Sequence, residues 1–167
     1  MAQPSEANSQ PAGVLQPLKM RLSTRFDCEV FGLPIPQGSM CRAGLSLRYS
    51  NHKELLDWRH NVMKELISSR PDDWDSNAAV ELTATFIFPR PAGHWGTGKN
   101  QSKLNGSAPW FKLTRPDLDK CLRAVGDSME QAGIVKNDAQ IVALAADKRF
   151  ATYGEEPGLM LTIYVLD

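Results

Sequence analysis

The segment Pro116–Phe150, PDLDKCLRAVGDSMEQAGIVKNDAQIVALAADKRF, contains the pattern that decides the fold. Proline is tolerated in the first turn of a helix, and glycine suits the left-handed position beyond its end. The pattern therefore predicts a helix from Pro116 to Gln131 that is closed by Gly133. The buried side of this helix is marked by Leu118, Cys121, Leu122, Val125 and Met129. The last part of the segment, AQIVALAADKRF, has strand character, so a strand is expected to follow the helix.

Further strands and one more helix are predicted outside this segment. Alternation of apolar and polar residues predicts strands at 26–31, at 80–88 and in GLMLTIYVLD at the end of the chain, and a short strand is expected near 45–49. Asn51 and Glu54 predict a capping box at the start of a helix that ends before Pro71. Its apolar face consists of Leu55, Leu56, Val62, Met63, Leu66 and Ile67. Strands interleaved with two helices predict an α+β two-layer sandwich, with a mixed β-sheet covered by two main helices.

Length and composition predict one globular domain. The chain has 167 residues, and residues 1–22, rich in Gln, Pro, Ser and Ala, are expected to form a disordered tail before a domain at 23–167. No stretch approaches the ~18 consecutive apolar residues that a membrane span needs, and the N-terminus lacks the pattern of a secretory signal. We therefore expect a cytoplasmic protein without a membrane partner.

The formal net charge is zero, but the charge is unevenly distributed. No acidic residue occurs between Glu81 and Asp117, and the segment 89–115, here called the basic loop, contains Arg90, Lys99, Lys103, Lys112 and Arg115. The same loop contains the rings of His94, Trp95, Trp110 and Phe111. Cations combined with stackable rings are typical of grooves for single-stranded or branched DNA. The alternative is a solvated loop whose aromatic side chains pack back onto the core.

Three carboxylates are the candidate catalytic centre. Asp117 and Asp119 lie at the entry of the predicted helix, and Asp138 lies at the start of the strand that follows. Oxygen donors without His or Cys suit Mg²⁺ or Mn²⁺, and such an ion can hydrolyse a phosphodiester. Arg123, one turn after Asp119, is placed to offset charge in the transition state. The structural alternative is that Asp117 caps the helix while Asp119 pairs with Arg123.

The stretch RPDLDKCLRAVGDSMEQAGIVKNDAQIVALAADKRF resembles the RusA family of Holliday junction resolvases, which are encoded largely by phages and prophages. FGLPIPQGSMCRAG and TATFIFPRP resemble the family's first strand with its basic turn and its next strand, so the likeness covers about residues 26–166. The resemblance implies that Asp117 and Asp119 are the DxD pair and that Asp138 is the third carboxylate. It also implies Mg²⁺-dependent paired nicking of four-way DNA junctions by a homodimer in a bacterial host.

Two positions depart from the family pattern. Lys120 stands where the family usually has Asn, and Arg123 stands where it has a catalytic lysine. Arginine keeps the positive charge but cannot donate a proton near neutral pH. A branched-DNA-binding module with impaired catalysis therefore stays open as an alternative function. The sequence also does not separate a strict resolvase from a nuclease that prefers flaps or forks.

Further residues complete the predicted site. The residues expected to bind DNA are Arg42, Arg90, Lys99, Lys103, Lys112, Arg115 and Lys120. Asp127 matches a frequent family aspartate. Lys148 and Arg149, in the strand after Asp138, are candidate contacts to phosphate, and the alternative is a solvated strand end.

Overall fold

The computed structural model describes residues 22–43 and 46–166. Within these residues lie six strands and two α-helices: β1 (Leu22–Phe31), β2 (Met40–Ala43), β3 (Ser46–Tyr49), α1 (His52–Ser69), β4 (Ala79–Phe88), α2 (Leu118–Gln131), β5 (Ile141–Phe150) and β6 (Gly158–Leu166). Residues 1–21 of the predicted tail lie outside the described part, so the tail and the domain boundary stay predictions.

One mixed sheet has the strand order β1-β6-β4-β5. β6 runs antiparallel to both of its neighbours, whereas β4 and β5 are parallel. Parallel neighbours need a long crossover connection, and the basic loop with α2 supplies it. β2 and β3 form a separate hairpin. The mixed sheet and its two helices confirm the predicted α+β class.

The sheet buries one face, as the alternating sequence predicts. Phe26, Cys28 and Val30 of β1 are buried, and Asp27 and Glu29 between them are exposed. The same alternation runs along β4 and β6, and α1 packs against both β1 and α2. Removing a large apolar side chain from water contributes ~1.5 to 3 kcal/mol, so this single layer of side chains dominates the stability of the fold.

α1 turns a narrower apolar face to the core than predicted. Leu55 and Val62 are buried, but Leu56 and Ile67 are each 49% exposed. Trp58, which the sequence pattern did not single out, is 3% exposed and widens the buried stripe on one side. At about 100° per residue, Val62 and Leu66 point within about 20° of Leu55, and Trp58 lies about 60° to one side. Leu56 and Ile67 lie about 100° and about 120° to the other side, outside the stripe.

Two local predictions at the start of α1 were wrong. The sequence predicted no strand between 31 and the strand near 45–49, but Met40–Ala43 pairs with β3 as strand β2. Asn51 precedes α1 but makes no capping bond from its side chain. Its amide nitrogen donates to Pro36 O at 2.8 Å, and its Oδ1 accepts from the backbone N of Gly38 at 3.1 Å. Asn51 therefore holds the loop between β1 and β2 instead of closing a capping box.

The connection after α2 differs from prediction at one catalytic candidate. α2 ends at Gln131, and Gly133 has φ +66°, as expected for a left-handed position after a helix. Asp138, however, does not begin β5 but lies in a 3₁₀ turn, Asp138–Gln140, before it. The turn is fixed by the Asn137 side chain, which accepts from the backbone N of Ala139 at 2.9 Å.

Candidate active site

Asp117 and Asp119 lie together at the start of α2, as predicted. Asp117 is the residue before the helix, yet its side chain makes no capping bond and pairs with Lys120 at 3.0 Å. Asp119 pairs with Arg123 at 3.4 Å. All four side chains are at least 41% exposed, so both carboxylates are open to solvent and to a ligand. The capping alternative therefore fails for Asp117, whereas the predicted pairing of Asp119 with Arg123 is present.

The charges around Asp117 favour its ionised form. The hydrogen bond from Lys120 lowers the pKa of the Asp117 carboxyl most, and the charges of Lys120, Arg115 and Lys148 lower the pKa further. Asp117 is thus a carboxylate at neutral pH, the form in which it can act as an oxygen donor to a metal ion.

Lys148 ties β5 to the segment that leads into Asp117. Its ammonium donates to the backbone oxygens of Thr114 at 2.8 Å and of Pro116 at 2.5 Å. Lys112 lies beside it, and its ammonium donates to Thr114 Oγ1 at 2.8 Å. Burial, followed by repulsion from Lys148, lowers the pKa of Lys112. The segment that leads to the DxD pair is therefore held in place by Lys148 of β5 and by Lys112 of the basic loop.

Asp138 lies at the opposite end of α2. Its backbone N donates to Glu130 Oε1 at 2.7 Å, and Glu130 belongs to the last turn of the helix. At 1.5 Å per residue, Asp117 and Glu130 are separated by about 20 Å along the helix axis. Accordingly, within residues 22–43 and 46–166, no group of three His, Cys, Asp or Glu side chains is arranged to hold a metal ion. One copy of the chain does not bring the three predicted carboxylates together.

Asp138 borders a second cleft, which it shares with Arg123, the partner of Asp119. The cleft is about 480 Å³ in volume and lies between α2 and β5, with Arg123 and Asp127 on its helix side and Leu144 on its strand side. Asp127 pairs with Arg59 of α1 at 2.8 Å, so this aspartate also joins the two helices.

The basic loop is folded against the sheet through Arg90. The Arg90 guanidinium donates to Ala151 O and to Pro109 O, both at 2.8 Å, and lies 5.3 Å from the ring centre of Phe150. Two of its donors are thus used inside the protein, which gives Arg90 a structural role. A role in DNA binding stays a prediction for this residue.

The end of the basic loop is attached to the free edge of β5. Phe111 forms a bridge with Arg149, and the backbone N of Lys112 donates to Lys148 O at 3.1 Å. Arg149 lies 5.3 Å from the ring centre of Trp110 and makes two 2.7 Å bonds to Glu155. His94 packs edge-on against Phe150, whereas Trp110 and Phe111 are 47% and 52% exposed. Some aromatic side chains of the loop therefore pack inward and others face solvent, and a role of the exposed ones in DNA binding stays a prediction.

The other predicted DNA-binding residues are distributed along this surface. Lys99, Lys103 and Arg115 are exposed, and Lys120 is half-buried beside Asp117. Arg42 belongs to β2, and its side chain lies outside the described residues. Sequence reasoning missed the pairing of Arg149 with Glu155, for which no local pattern gives a signal because the turn between β5 and β6 brings the two side chains together.

A groove opens beside Asp117. It has a volume of about 770 Å³ and runs between the loop at residues 33–39 and the segment at residues 112–117. Phe88 and Pro89, at the end of β4, line it as well. The groove, the DxD pair and the basic loop therefore share one side of the molecule.

A known protein family matches most of the chain. A family model described as Endodeoxyribonuclease RusA matches residues 35–164. No curated protein matches the chain significantly. In the described part of the chain, no helix is long and apolar enough to cross a membrane.

Proposed function

Because the chain belongs to the RusA family of endodeoxyribonucleases, which resolve Holliday junctions, we propose that it makes Mg²⁺-dependent paired nicks in four-way DNA at the Asp117–Asp119 end of α2. The observation that carries this proposal is the pair of exposed carboxylates at a helix start, next to the basic loop and the groove. The bacterial cytoplasm is the proposed place of action, since the substrate is DNA, and a phage or prophage is the proposed source.

The residues at the start of α2 fit a divalent ion in their chemistry. Asp117 and Asp119 offer carboxylate oxygens, the donors that Mg²⁺ and Mn²⁺ prefer, and both are accessible. A bound Mg²⁺ supplies Lewis-acid polarisation of the phosphate and a more acidic water. Family nucleases depend on divalent metals in general, and the identity of the ion is part of our proposal.

The cations around the carboxylates have two roles in this proposal. Without a ligand, Lys120 and Arg123 neutralise Asp117 and Asp119. When phosphate arrives, the same cations can turn to its oxygens and offset the charge that develops during cleavage. Arg123 performs this electrostatic role without donating a proton, because its guanidinium stays protonated. Lys148 keeps the backbone before Asp117 in position.

A homodimer resolves the separation between Asp138 and the DxD pair. Since Asp138 lies near the far end of α2, a site that uses all three carboxylates needs Asp138 from a second copy of the chain. In a twofold assembly each copy would give Asp117 and Asp119 to one site and Asp138 to the other. Two such sites would make the two symmetric cuts that resolution requires.

Mixing two inactive variants tests this arrangement. Asp119→Asn and Asp138→Asn are each expected to abolish Mg²⁺-dependent nicking of an immobile four-way junction. After the two variants are unfolded together and refolded, half of the dimers contain one intact site and one doubly altered site. We expect such mixtures to recover single nicks but not paired nicks.

The mixture also separates the competing interpretations. Complete absence of nicking in a folded, dimeric mixture would place all three carboxylates in one chain. Nicking by Asp138→Asn alone would instead remove Asp138 from the site. Absence of nicking by the unaltered protein, with junction binding retained, would favour the alternative of a branched-DNA-binding module. Nicking of flaps or forks in preference to the four-way junction would favour the other alternative. A linear duplex of matched sequence serves as the control substrate.

A further inference from the structure

The groove beside Asp117 is built from rigid pieces. Its walls and floor include Pro34, Pro36, Pro89 and Pro116, whose rings fix the backbone torsion φ. The backbone N of Gln37 donates to Lys120 O at 2.9 Å, which docks the loop on the first turn of α2. The amide of Asn51 holds the same loop from the other side. The groove is therefore preformed.

The backbone at Gly38 lies so close to Ser50 and Asn51 that no side chain fits there. A Cβ added to Gly38 would clash with Asn51 Oδ1 and would come within 2.7 Å of Ser50 Oγ. Only glycine permits this approach, which brings the loop next to the start of α1 and leaves the groove open on the side of Asp117.

The lining of the groove suits a single nucleotide. Proline rings and Ile35 offer flat apolar surface, and Lys112, Arg115 and Lys120 bring positive charge to the rim. Its volume of about 770 Å³ is in the range of sites for small organic ligands. A base fits against apolar surface while its phosphate lies near the cations. A base within a duplex is stacked and paired, so it can enter only after leaving the helix.

Resting on the proposed function, we propose that this groove receives one unpaired nucleotide from the branch point of the DNA, adjacent to the phosphate that is cut. Extruding a base costs least where pairing is already disturbed, as it is at a branch point. The groove would thus make cleavage selective for branched over linear DNA, because a linear duplex must first be opened. Asp117, which borders the groove, would lie next to the backbone of the captured nucleotide.

Fluorescence of 2-aminopurine tests the proposal directly. The probe base is placed in turn at each nucleotide that flanks the branch point, and the full-length protein is added in EDTA so that no cutting occurs. The fluorescence of at least one position should rise several-fold on binding, because the base leaves its stack and meets mainly proline and aliphatic surface. Phe88, the aromatic residue of the lining, is only 3% exposed. The same probe in a matched linear duplex should not respond.

A groove-narrowing variant and a matched control complete the experiment. Ser39 is exposed and lines the groove, whereas Ser68 is exposed near the far end of α1. Ser39→Leu should lose the fluorescence rise and nick the junction several-fold more slowly in Mg²⁺, and Ser68→Leu should behave as the unaltered protein.

Each result has one interpretation. If no branch-point position of the unaltered protein–DNA complex responds, or if Ser39→Leu keeps both the response and the nicking rate, the groove does not receive a nucleotide. The first of these readouts needs no variant, so a failure of Ser39→Leu to fold does not affect it. If the unaltered protein makes no Mg²⁺-dependent nicks, the proposed function fails, and this result is separate from the fluorescence in EDTA.

Discussion

Replacing Glu155 by Gln should weaken the attachment of the basic loop in a pH-dependent way. Glu155 accepts two bonds from the Arg149 guanidinium at 2.7 Å each, one from the backbone N of Thr152 at 2.7 Å and one from Thr152 Oγ1 at 3.0 Å. The hydrogen bond from Arg149 is the main reason why the pKa of Glu155 falls from 4.5 to about 2. Arg149 in turn lies over Trp110, so the pair secures the end of the basic loop.

The magnitude follows from that pKa. A fall from 4.5 to about 2 corresponds to at most ~3.4 kcal/mol of folding free energy, at ~1.36 kcal/mol per pKa unit. The Glu155 side chain is 24% exposed, so solvent screening reduces the expected loss of folding free energy to about 1 to 2 kcal/mol. Because the folded-state pKa is depressed, the stabilisation is fully present above pH 4.5 and is lost as the pH falls toward about 2.

Urea unfolding at pH 7, 5, 4 and 3 measures this difference. The free energy of unfolding of Glu155→Gln should be lower than that of the unaltered protein at pH 7 and 5, and the gap should shrink at pH 4 and 3. Glu156→Gln is the matched control, since the neighbouring Glu156 is exposed. A gap that does not depend on pH, or one equal to that of Glu156→Gln, would refute the reasoning.

Four further changes test the site and its supports. Asp119→Asn should abolish Mg²⁺-dependent nicking yet leave junction binding in EDTA unchanged or tighter, because one negative charge near phosphate is gone; weaker binding by the folded variant in a gel-shift assay would contradict this. Arg123→Lys should nick at least as fast as the unaltered protein in a time course, and a slower rate would show that the guanidinium geometry is required. Lys148→Met should raise the Mg²⁺ concentration needed for half-maximal nicking, because the bonds to Thr114 and Pro116 are lost. Lys148→Arg should bring this concentration part of the way back to that of the unaltered protein. An unchanged Mg²⁺ dependence of Lys148→Met would exclude the positioning role. Arg90→Ala should lower the free energy of unfolding by about 2 to 4 kcal/mol, measured in urea, because two charged hydrogen bonds are lost. Lys99→Ala, at an exposed position, should change the free energy of unfolding by no more than about 0.5 kcal/mol, and a similar value for Arg90→Ala would contradict its structural role.

Local patterns predicted the elements of the fold well where one face is buried. The alternation of Phe26, Cys28 and Val30, and the proline and glycine that flank α2, each reflect a constraint within a few residues. The β2–β3 hairpin was missed because Met40–Ala43 lies among Gly, Pro and Ser, which indicate a loop. Asn51 was misassigned because its side chain found partners 13 and 15 residues earlier in the chain.

The candidate site was predictable in composition but not in geometry. The sequence placed Asp117 and Asp119 at the start of α2 correctly, because residues two positions apart in sequence are also close in space. The position of Asp138 depends on the length of α2 and on the turn before β5, which no local pattern fixes. The same limit applies to Arg90, whose charge suggested DNA while its hydrogen bonds go to Ala151 and Pro109.

The attachment of the basic loop to β5 also protects the protein from unwanted association. β5 ends the sheet, and an unpaired strand edge is a template for aggregation. The loop covers the half of this edge around Lys148 and Arg149, whereas Val142 and Leu144 in the other half stay 60% and 54% exposed. A variant that lacks the loop, made to remove DNA binding, would therefore expose the whole edge of β5. Insolubility of that variant would say nothing about whether the loop binds DNA.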